Sequence, residues 1–436
     1  MKITDTSKRK MKPAIYLYLV ISVLHGMILC DHHQDHDEKD HHHHKNHHGH
    51  DPIEHEQPGK QSMACHKIAS RNAEFAFNLY KQISKGGSSD NVFFSPVSIS
   101  TVISMLSLGA KSLTFDQIIA GLGFNLTDTS KEEIYLGFQH LLHVLNNPNS
   151  ELQLNIANAL FIDNNLKVLP KFTEDVKKYY DSEAFSSDFT QSEEAKKQIN
   201  DYVEKHTNGK IVDLLQSLDH STQMVLVNCI FFKGKWEHVF DANLTKEATF
   251  SVDKNTTVRV PMMEREGVYN SWRDHDLSCV VVRLNYGGNA SAFFILPDEG
   301  KMNEVEEGLS SATLQKWWHT HRERTFNLHL PKFSISATTD LRAVLEKLGM
   351  TDVFSDMANL SGITGHNNLK ASKVVHKAVL SIDEQGTEAS GATAIEIKPR
   401  FIPRPIIFNR PFVLSIVDSN TQSLIFIGKV INPTKV

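Results

Sequence analysis

The chain has 436 residues, 40% of them hydrophobic, and a formal net charge of −5. That is enough apolar material for one large core, and the negative balance excludes a globally basic nucleic-acid binder. Of four cysteines, Cys30 falls in the N-terminal apolar run, and the odd three that remain provide no disulfide framework, so the fold must rest on its core.

Lys8, Arg9, Lys10 and Lys12 precede an apolar run over 14–30, broken only by Ser22, His25 and Gly26. A basic stretch before a short, interrupted apolar run predicts a secretory signal over 1–30, cleaved near Cys30, and no membrane span. Residues 31–61 form a His/Asp-rich tail with almost no apolar side chains, predicted to be disordered. From Cys65 to Val436 the composition is that of one globular domain. Within it, Ile134, Phe138, Leu141, Leu142 and Leu145 recur at helical spacing. Phe326, Leu328 and Leu330 alternate as in a strand, and the apolar runs 225–232 and 424–427 predict buried strands. Helical patterns crowd the first half and strand patterns the second, which predicts an α+β fold with large sheets. Of the cysteines beyond the leader, Cys65, Cys229 and Cys279, Cys229 lies in an apolar run and is expected to be buried and inert. Sequons at Asn125, Asn243, Asn255, Asn289 and Asn359 fit an exported, glycosylated chain.

The tail holds eleven histidines: His32, His33, His36, His41, His42, His43, His44, His47, His48, His50 and His55. Several imidazoles on a flexible segment can bind Ni²⁺, Cu²⁺ or Zn²⁺, although no spacing defines one closed site. Asp35, Asp37, Asp40 and Asp51 offer oxygen ligands besides. Between Asp31 and Pro58 the formal charge is −6 with neutral imidazoles and +5 with all eleven protonated. Acidity or bound metal would therefore favour polyanions. A solubilising linker is the plainer reading of the same composition.

Near the C-terminus, Thr387, Ala389, Gly391, Thr393, Ile395 and Ile397 form one small or apolar alternating set. The other set is Glu388, Ser390, Ala392, Ala394, Glu396 and Lys398. This is the period of a strand with one buried face, yet it runs into the proline- and charge-bearing stretch 398–405. The pattern fits a loop able to enter a sheet, and equally an edge strand followed by a Pro-rich turn.

Motifs elsewhere decide between the two. They include Asn91-Val-Phe-Phe-Ser-Pro-Val-Ser-Ile-Ser100, Ile199-Asn-Asp-Tyr-Val-Glu-Lys205, Thr207-Asn-Gly-Lys-Ile-Val-Asp213 and Leu226-Val-Asn-Cys-Ile-Phe-Phe-Lys-Gly-Lys-Trp236. Further on come Leu328-His-Leu-Pro-Lys-Phe333, His376-Lys-Ala-Val-Leu380, Asp383-Glu-Gln-Gly-Thr-Glu-Ala389 and Phe408-Asn-Arg-Pro-Phe412. In this order they resemble the serpin superfamily, in its antitrypsin-like secreted branch, over nearly all of 65–436. Within it the chain also resembles estrogen-regulated, histidine-rich liver serpins.

The resemblance implies three β-sheets, eight to nine helices and an exposed reactive loop. It implies a monomeric, non-enzymatic inhibitor that needs no cofactor. A serine protease cleaves the loop, which inserts into the central sheet before the acyl-enzyme is hydrolysed. The hinge would be Glu384, Gly386, Thr387, Ala389 and Gly391, small where the strand must enter and with Glu384 paired to a basic neighbour. Register from Gly386 to Phe408 places the reactive bond between Arg400 and Phe401, for a trypsin-like protease. A slip of one residue would make Phe401 the bait and the target chymotrypsin-like. Ser95, Ser98, Asn228 and His376 match the polar shutter beneath the sheet, and Trp236 matches the breach where insertion starts. Stretch 132–139 lacks a basic stripe for constitutive heparin binding. A non-inhibitory metal carrier or storage protein on the same body is the alternative.

Overall fold

The computed structural model describes residues 64–85, 90–146, 152–386 and 404–435. The leader, the histidine tail, Thr387, Ala389, Gly391, Arg400 and Phe401 lie outside the described residues. The helices are α1 (Ala64–Ser84), α2 (Pro96–Ser107), α3 (Ser112–Gly121), α4 (Lys131–Leu145), α5 (Pro170–Tyr180) and α6 (Ser192–His206), then the shorter α7 (Met302–Gly308), α8 (Ser311–Trp318), α9 (Arg342–Lys347) and α10 (Ser361–Thr364). The strands of the first half are β1 (Val92–Phe94), β2 (Gln153–Asp163), β3 (Glu183–Ser187) and β4 (Met224–Lys233). They are followed by β5 (Lys246–Ser251), β6 (Thr257–Asp274), β7 (Cys279–Asn285), β8 (Ala290–Pro297), β9 (Glu323–Pro331) and β10 (Phe333–Asp340). The last are β11 (Lys373–Ile382), β12 (Ile406–Ile407), β13 (Phe412–Asp418) and β14 (Leu424–Val430). The helical period read at Ile134 to Leu145 is α4, and the predicted strands fall on β4, β9 and β14. Among the described residues no helix is long and apolar enough to cross a membrane.

One sheet has five strands in the order β10-β11-β4-β2-β3. The others share β6, an 18-residue strand. Its first six residues pair with β5 and its last five with β7, while β9 runs along the nine in the middle. This produces a β5-β6-β9-β12 group and a β6-β7-β8-β13-β14-β1 group within one nine-stranded sheet, with β5 branching from β6. The expected three sheets are therefore present, two of them fused through a single strand. Ten helices among the described residues slightly exceed the expected eight to nine, because α9 and α10 are only six and four residues long.

β4 explains why its sequence is a continuous apolar run. Leu226, Ile230 and Phe232 face the main core, whereas Val225, Val227 and Cys229 face a second cluster with Ile199 and Val203 of α6. A strand buried on both faces loses the polar alternation of a surface strand. α2 is likewise buried at every residue. Ser95 caps its N-terminus by accepting from the Ser98 N–H, and Pro96 starts the first turn with its φ already set. α4 begins with a capping box in which Ser130 and Glu133 bond reciprocally. Its expected apolar face packs on the main core.

Candidate functional site

Strand register builds the centre of the five-stranded sheet. Asn158 of β2 lies opposite Asn228 of β4, and Asn228 lies opposite His376 of β11. The amide of Asn228 donates to the Ser98 carbonyl at 2.9 Å and to Asn158 Oδ1 at 2.5 Å, and also contacts Ser98 Oγ. Its Oδ1 meets His376 Nδ1 at 2.5 Å, and the Ser95 N–H donates to His376 Nε2 at 3.0 Å. With one ring nitrogen accepting and the other facing an amide oxygen, His376 is the neutral Nδ1–H tautomer. Complete burial pushes its pKa down to about 3, which keeps it neutral. All four predicted shutter residues thus meet, and Asn158 is a fifth member that the sequence reading missed. The available signal was an asparagine on the apolar face made by Leu154, Ile156, Leu160 and Ile162.

The upper end of the same strands is organised differently. β4 and β11 run parallel over seven register pairs, from Lys373↔Val225 to Val379↔Phe231. Beyond that point β11 continues to Ile382 against β10, and β4 continues to Lys233 against β2. The seam between them therefore opens over its last residues. A turn over 383–386 caps the opening, with Asp383 Oδ1 accepting from the N–H groups of Gln385 (2.9 Å) and Gly386 (3.1 Å).

Trp236 closes the mouth from the β4 side. Its backbone N–H donates to Gln385 O at 2.8 Å and its indole N–H to Asp383 O at 3.0 Å, while its ring stacks on Tyr286. Gly386 bridges to Lys235 with φ +130, where a Cβ would lie 2.3 Å from the Gly234 carbonyl oxygen. Only glycine fits that conformation and that approach. Glu384 is held by Lys332 Nζ and Thr245 Oγ1, each at 2.8 Å, and its carbonyl accepts from the Phe240 N–H. Burial alone would raise its carboxyl pKa, but the hydrogen bonds from Lys332 and Thr245 bring it below the ordinary value. The basic partner expected for Glu384 is thus Lys332.

The far end of the loop is anchored separately. Ile406 of β12 pairs with Leu328, the Phe408 N–H donates to His329 O, and Arg404 and Pro405 are exposed. Residues 387–403 therefore connect two fixed points, the mouth of one sheet and the edge of another.

The family model described as Serpin (serine protease inhibitor) matches residues 70–433. The chain is a serpin. It is 51% identical over 381 residues to the alpha-1-antitrypsin of Sus scrofa, covering 87% of this chain and 90% of that one. The alpha-1-antiproteinase of Callosciurus caniceps is 52% identical over 382 residues, covering 88% and 92%. These matches place the serpin in the antitrypsin-like branch. Human thyroxine-binding globulin complexed with its hormone is 47% identical with a TM-score of 0.82, over 85% of this chain and all of that one. Human glycosylated kallistatin is 46% identical with a TM-score of 0.81, over 86% of this chain and all of that one.

Elsewhere in this serpin, Asn125, Asn243, Asn255 and Asn289 are exposed, while Asn359 is half-buried and its Oδ1 accepts from the Ser361 hydroxyl. Cys65, Cys229 and Cys279 are buried free thiols. Burial pushes the thiols of Cys229 and Cys279 up to about 12, which removes the thiolate that reactivity requires.

Proposed function

We propose that this serpin is secreted and traps a trypsin-like serine protease by suicide cleavage between Arg400 and Phe401. The observation that carries this reading is the parallel seam between β4 and β11. A segment that turns back at Gly386 runs antiparallel to β11, and hence antiparallel to β4 as well. Its entry would exchange one parallel pairing for two antiparallel ones, which are the more stable kind. Each added ladder bond contributes about 1 kcal/mol. The protease serine attacks the Arg400 carbonyl carbon and expels the Phe401 amine, leaving an ester to the enzyme. Entry of Thr387, Ala389 and Gly391 into the seam then pulls the enzyme away before water reaches the ester. The small residues of the alternating set Thr387, Ala389, Gly391 and Thr393 support this order of events, since a charge or proline among them would stall entry.

Incubation with trypsin and with chymotrypsin, followed by denaturing gels, tests the reading. An SDS-stable complex and a released peptide beginning at Phe401 are expected. A peptide beginning at Ile402 would move the bait to Phe401 and the target to a chymotrypsin-like enzyme. Thr387→Arg is expected to turn the inhibitor into a substrate, because an unpaired arginine would have to be buried during insertion. The alternative, a non-inhibitory carrier on a serpin body, is favoured by the likeness to thyroxine-binding globulin. Cleavage without complex would support it.

The histidine tail adds binding of Ni²⁺, Cu²⁺ or Zn²⁺, weakening below about pH 6 as imidazoles protonate. Its charge reversal in acid or with metal would recruit polyanions. Calorimetry on the secreted protein and on a form beginning at Cys65 tests this, with metal uptake lost and trapping retained in the shorter form. Equal uptake by both would move the metal site into the body.

A further inference from the structure

The opening at the top of the β4/β11 seam has a neighbour that the trapping reading does not use. Asp241 starts a 3₁₀ turn over Ala242–Leu244 in which no residue is buried. Asp241 Oδ1 accepts from both the backbone N–H and the side-chain amide of Asn243, each at 2.9 Å. Phe240 before the turn and Thr245 after it both bond to Glu384, through the Phe240 N–H and the Thr245 hydroxyl. The turn is therefore pinned against the hinge by contacts on either side of Asn243.

Asn243-Leu244-Thr245 is also a sequon, and its threonine is the one that holds the hinge. Three of the other four sequons differ. Thr127 donates to Asp128, Ser291 to Asn285 and Ser361 to Asn359, none of them in the hinge turn. Leu244 is 43% exposed, so the tip of the turn faces solvent and leaves room for a bulky substituent.

Register pairs between β4 and β11 end at Val379↔Phe231, although both strands continue. Diverging strand ends of this kind form a template for any extended segment that reaches them. The chain's own loop arrives tethered through Gly386. A segment from a second copy must bring its whole body to the same mouth.

We propose that Asn243 carries an N-linked oligosaccharide, and that this glycan guards the mouth of the seam against strands from other molecules while admitting the tethered loop. In the modification, Nδ2 loses one proton and bonds to the anomeric carbon of a lipid-diphosphate-linked oligosaccharide, and the lipid diphosphate leaves. Nδ2 keeps its second hydrogen for Asp241, so the turn need not rearrange. The Thr245 hydroxyl is committed to Glu384 in the folded protein, so the transfer belongs before the domain closes. The part of the inference that concerns the tethered loop rests on the insertion reading above.

The test uses the full chain secreted from a glycosylating animal cell. Peptide mapping after deglycosylation in heavy-oxygen water should report conversion of Asn243 to aspartate. Uptake of a labelled synthetic peptide of sequence 387–400 is then compared between the wild type and Asn243→Gln, which keeps Thr245 and its bond. Uptake by the variant is expected to be about tenfold faster. Asn125→Gln, whose sequon hydroxyl serves Asp128, should match the wild type. If Asn243→Gln is not secreted, folded wild type treated with a peptide-N-glycosidase takes its place. An unmodified Asn243, or equal uptake with and without its glycan, overturns the proposal. Trapping of trypsin by each form is read separately on denaturing gels, so its failure would strike the inhibitory reading and leave the uptake comparison intact.

Discussion

Glu384 and Lys332 meet at 2.8 Å at the head of the β4/β11 seam, the carboxylate 10% exposed and the ammonium 45%. The pair ties the last residues before the loop to the link between β9 and β10. Glu384→Gln keeps the shape but loses the charge, and should cost about 1–2 kcal/mol, read as a lowered unfolding midpoint at pH 7. Because the folded carboxyl pKa lies below the unfolded value of about 4.3, the contribution is full above that pH. It fades as pH falls through the lower, folded value. The midpoints of variant and wild type should therefore converge in acid, and a constant gap would refute this account of the pair.

Gly386→Ala should be more damaging than its size implies. The new Cβ would lie 2.7 Å from the Trp236 nitrogen and 2.8 Å from the Lys235 Cα, at a φ that L-residues rarely adopt. Relief requires the turn to lift from β4, at a cost of about 1–3 kcal/mol. Hydrogen exchange at the Trp236 amide, which donates to Gln385 O, should speed up in the variant. Unchanged protection would mean that the turn absorbs the methyl elsewhere.

His376 should impose a pH slope on stability. Its folded pKa is about 3, whereas an unfolded histidine titrates near 6.5. Between those values the unfolded chain binds one more proton, so stability rises with pH. It is complete above about 6.5 and falls by about 1.4 kcal/mol per unit below that. His376→Gln should be less stable at pH 7.5 but show a flatter profile between pH 6.5 and 4.5. An unaltered slope would assign the acid sensitivity to other groups.

Asn158 and Asn228 should differ in cost although they face each other. Asn158→Ala removes one acceptor and leaves the Asn228 amide with Ser98, a loss of about 1 kcal/mol. Asn228→Ala leaves the His376 Nδ1–H without its acceptor in a fully buried site and should cost about 2–3 kcal/mol. Equilibrium denaturation of both variants gives the comparison, and equal losses would show that a water replaces the missing amide.

Much of this site was legible because its residues break local rules. A buried asparagine and histidine in strands whose neighbours are aliphatic are conspicuous, and the resemblance grouped them with Ser95 and Ser98, which they meet. Asn158 was harder, since its meaning depends on two register pairings that bring three separate strands together. Thr245 and the Phe240 N–H at Glu384 were invisible for the same reason, being about 140 residues away in sequence. β6 joins two sheets without announcing it, because its stretch 264–267 carries Glu264, Arg265, Glu266 and Gly267 and no clean alternation. The apolar run alone predicts that Cys229 is buried, and it is, with its thiol pKa raised by that burial.

Cys229 also has a specific place, because its register partner across the seam is Lys377. Neighbouring strands lie about 4.8 Å apart, inside the span that a cystine bridges. Lys377→Cys would therefore set two sulfurs on the same face of the sheet, one in each of the strands that the proposed insertion would part. Closed as a disulfide while the chain folds, before burial shields Cys229, the pair would hold the seam shut against the proposed insertion and the serpin would be cleaved as an ordinary substrate; reduction of the bridge would restore trapping. A single substitution would turn the proposed opening of this sheet into a step that an experimenter can switch on and off.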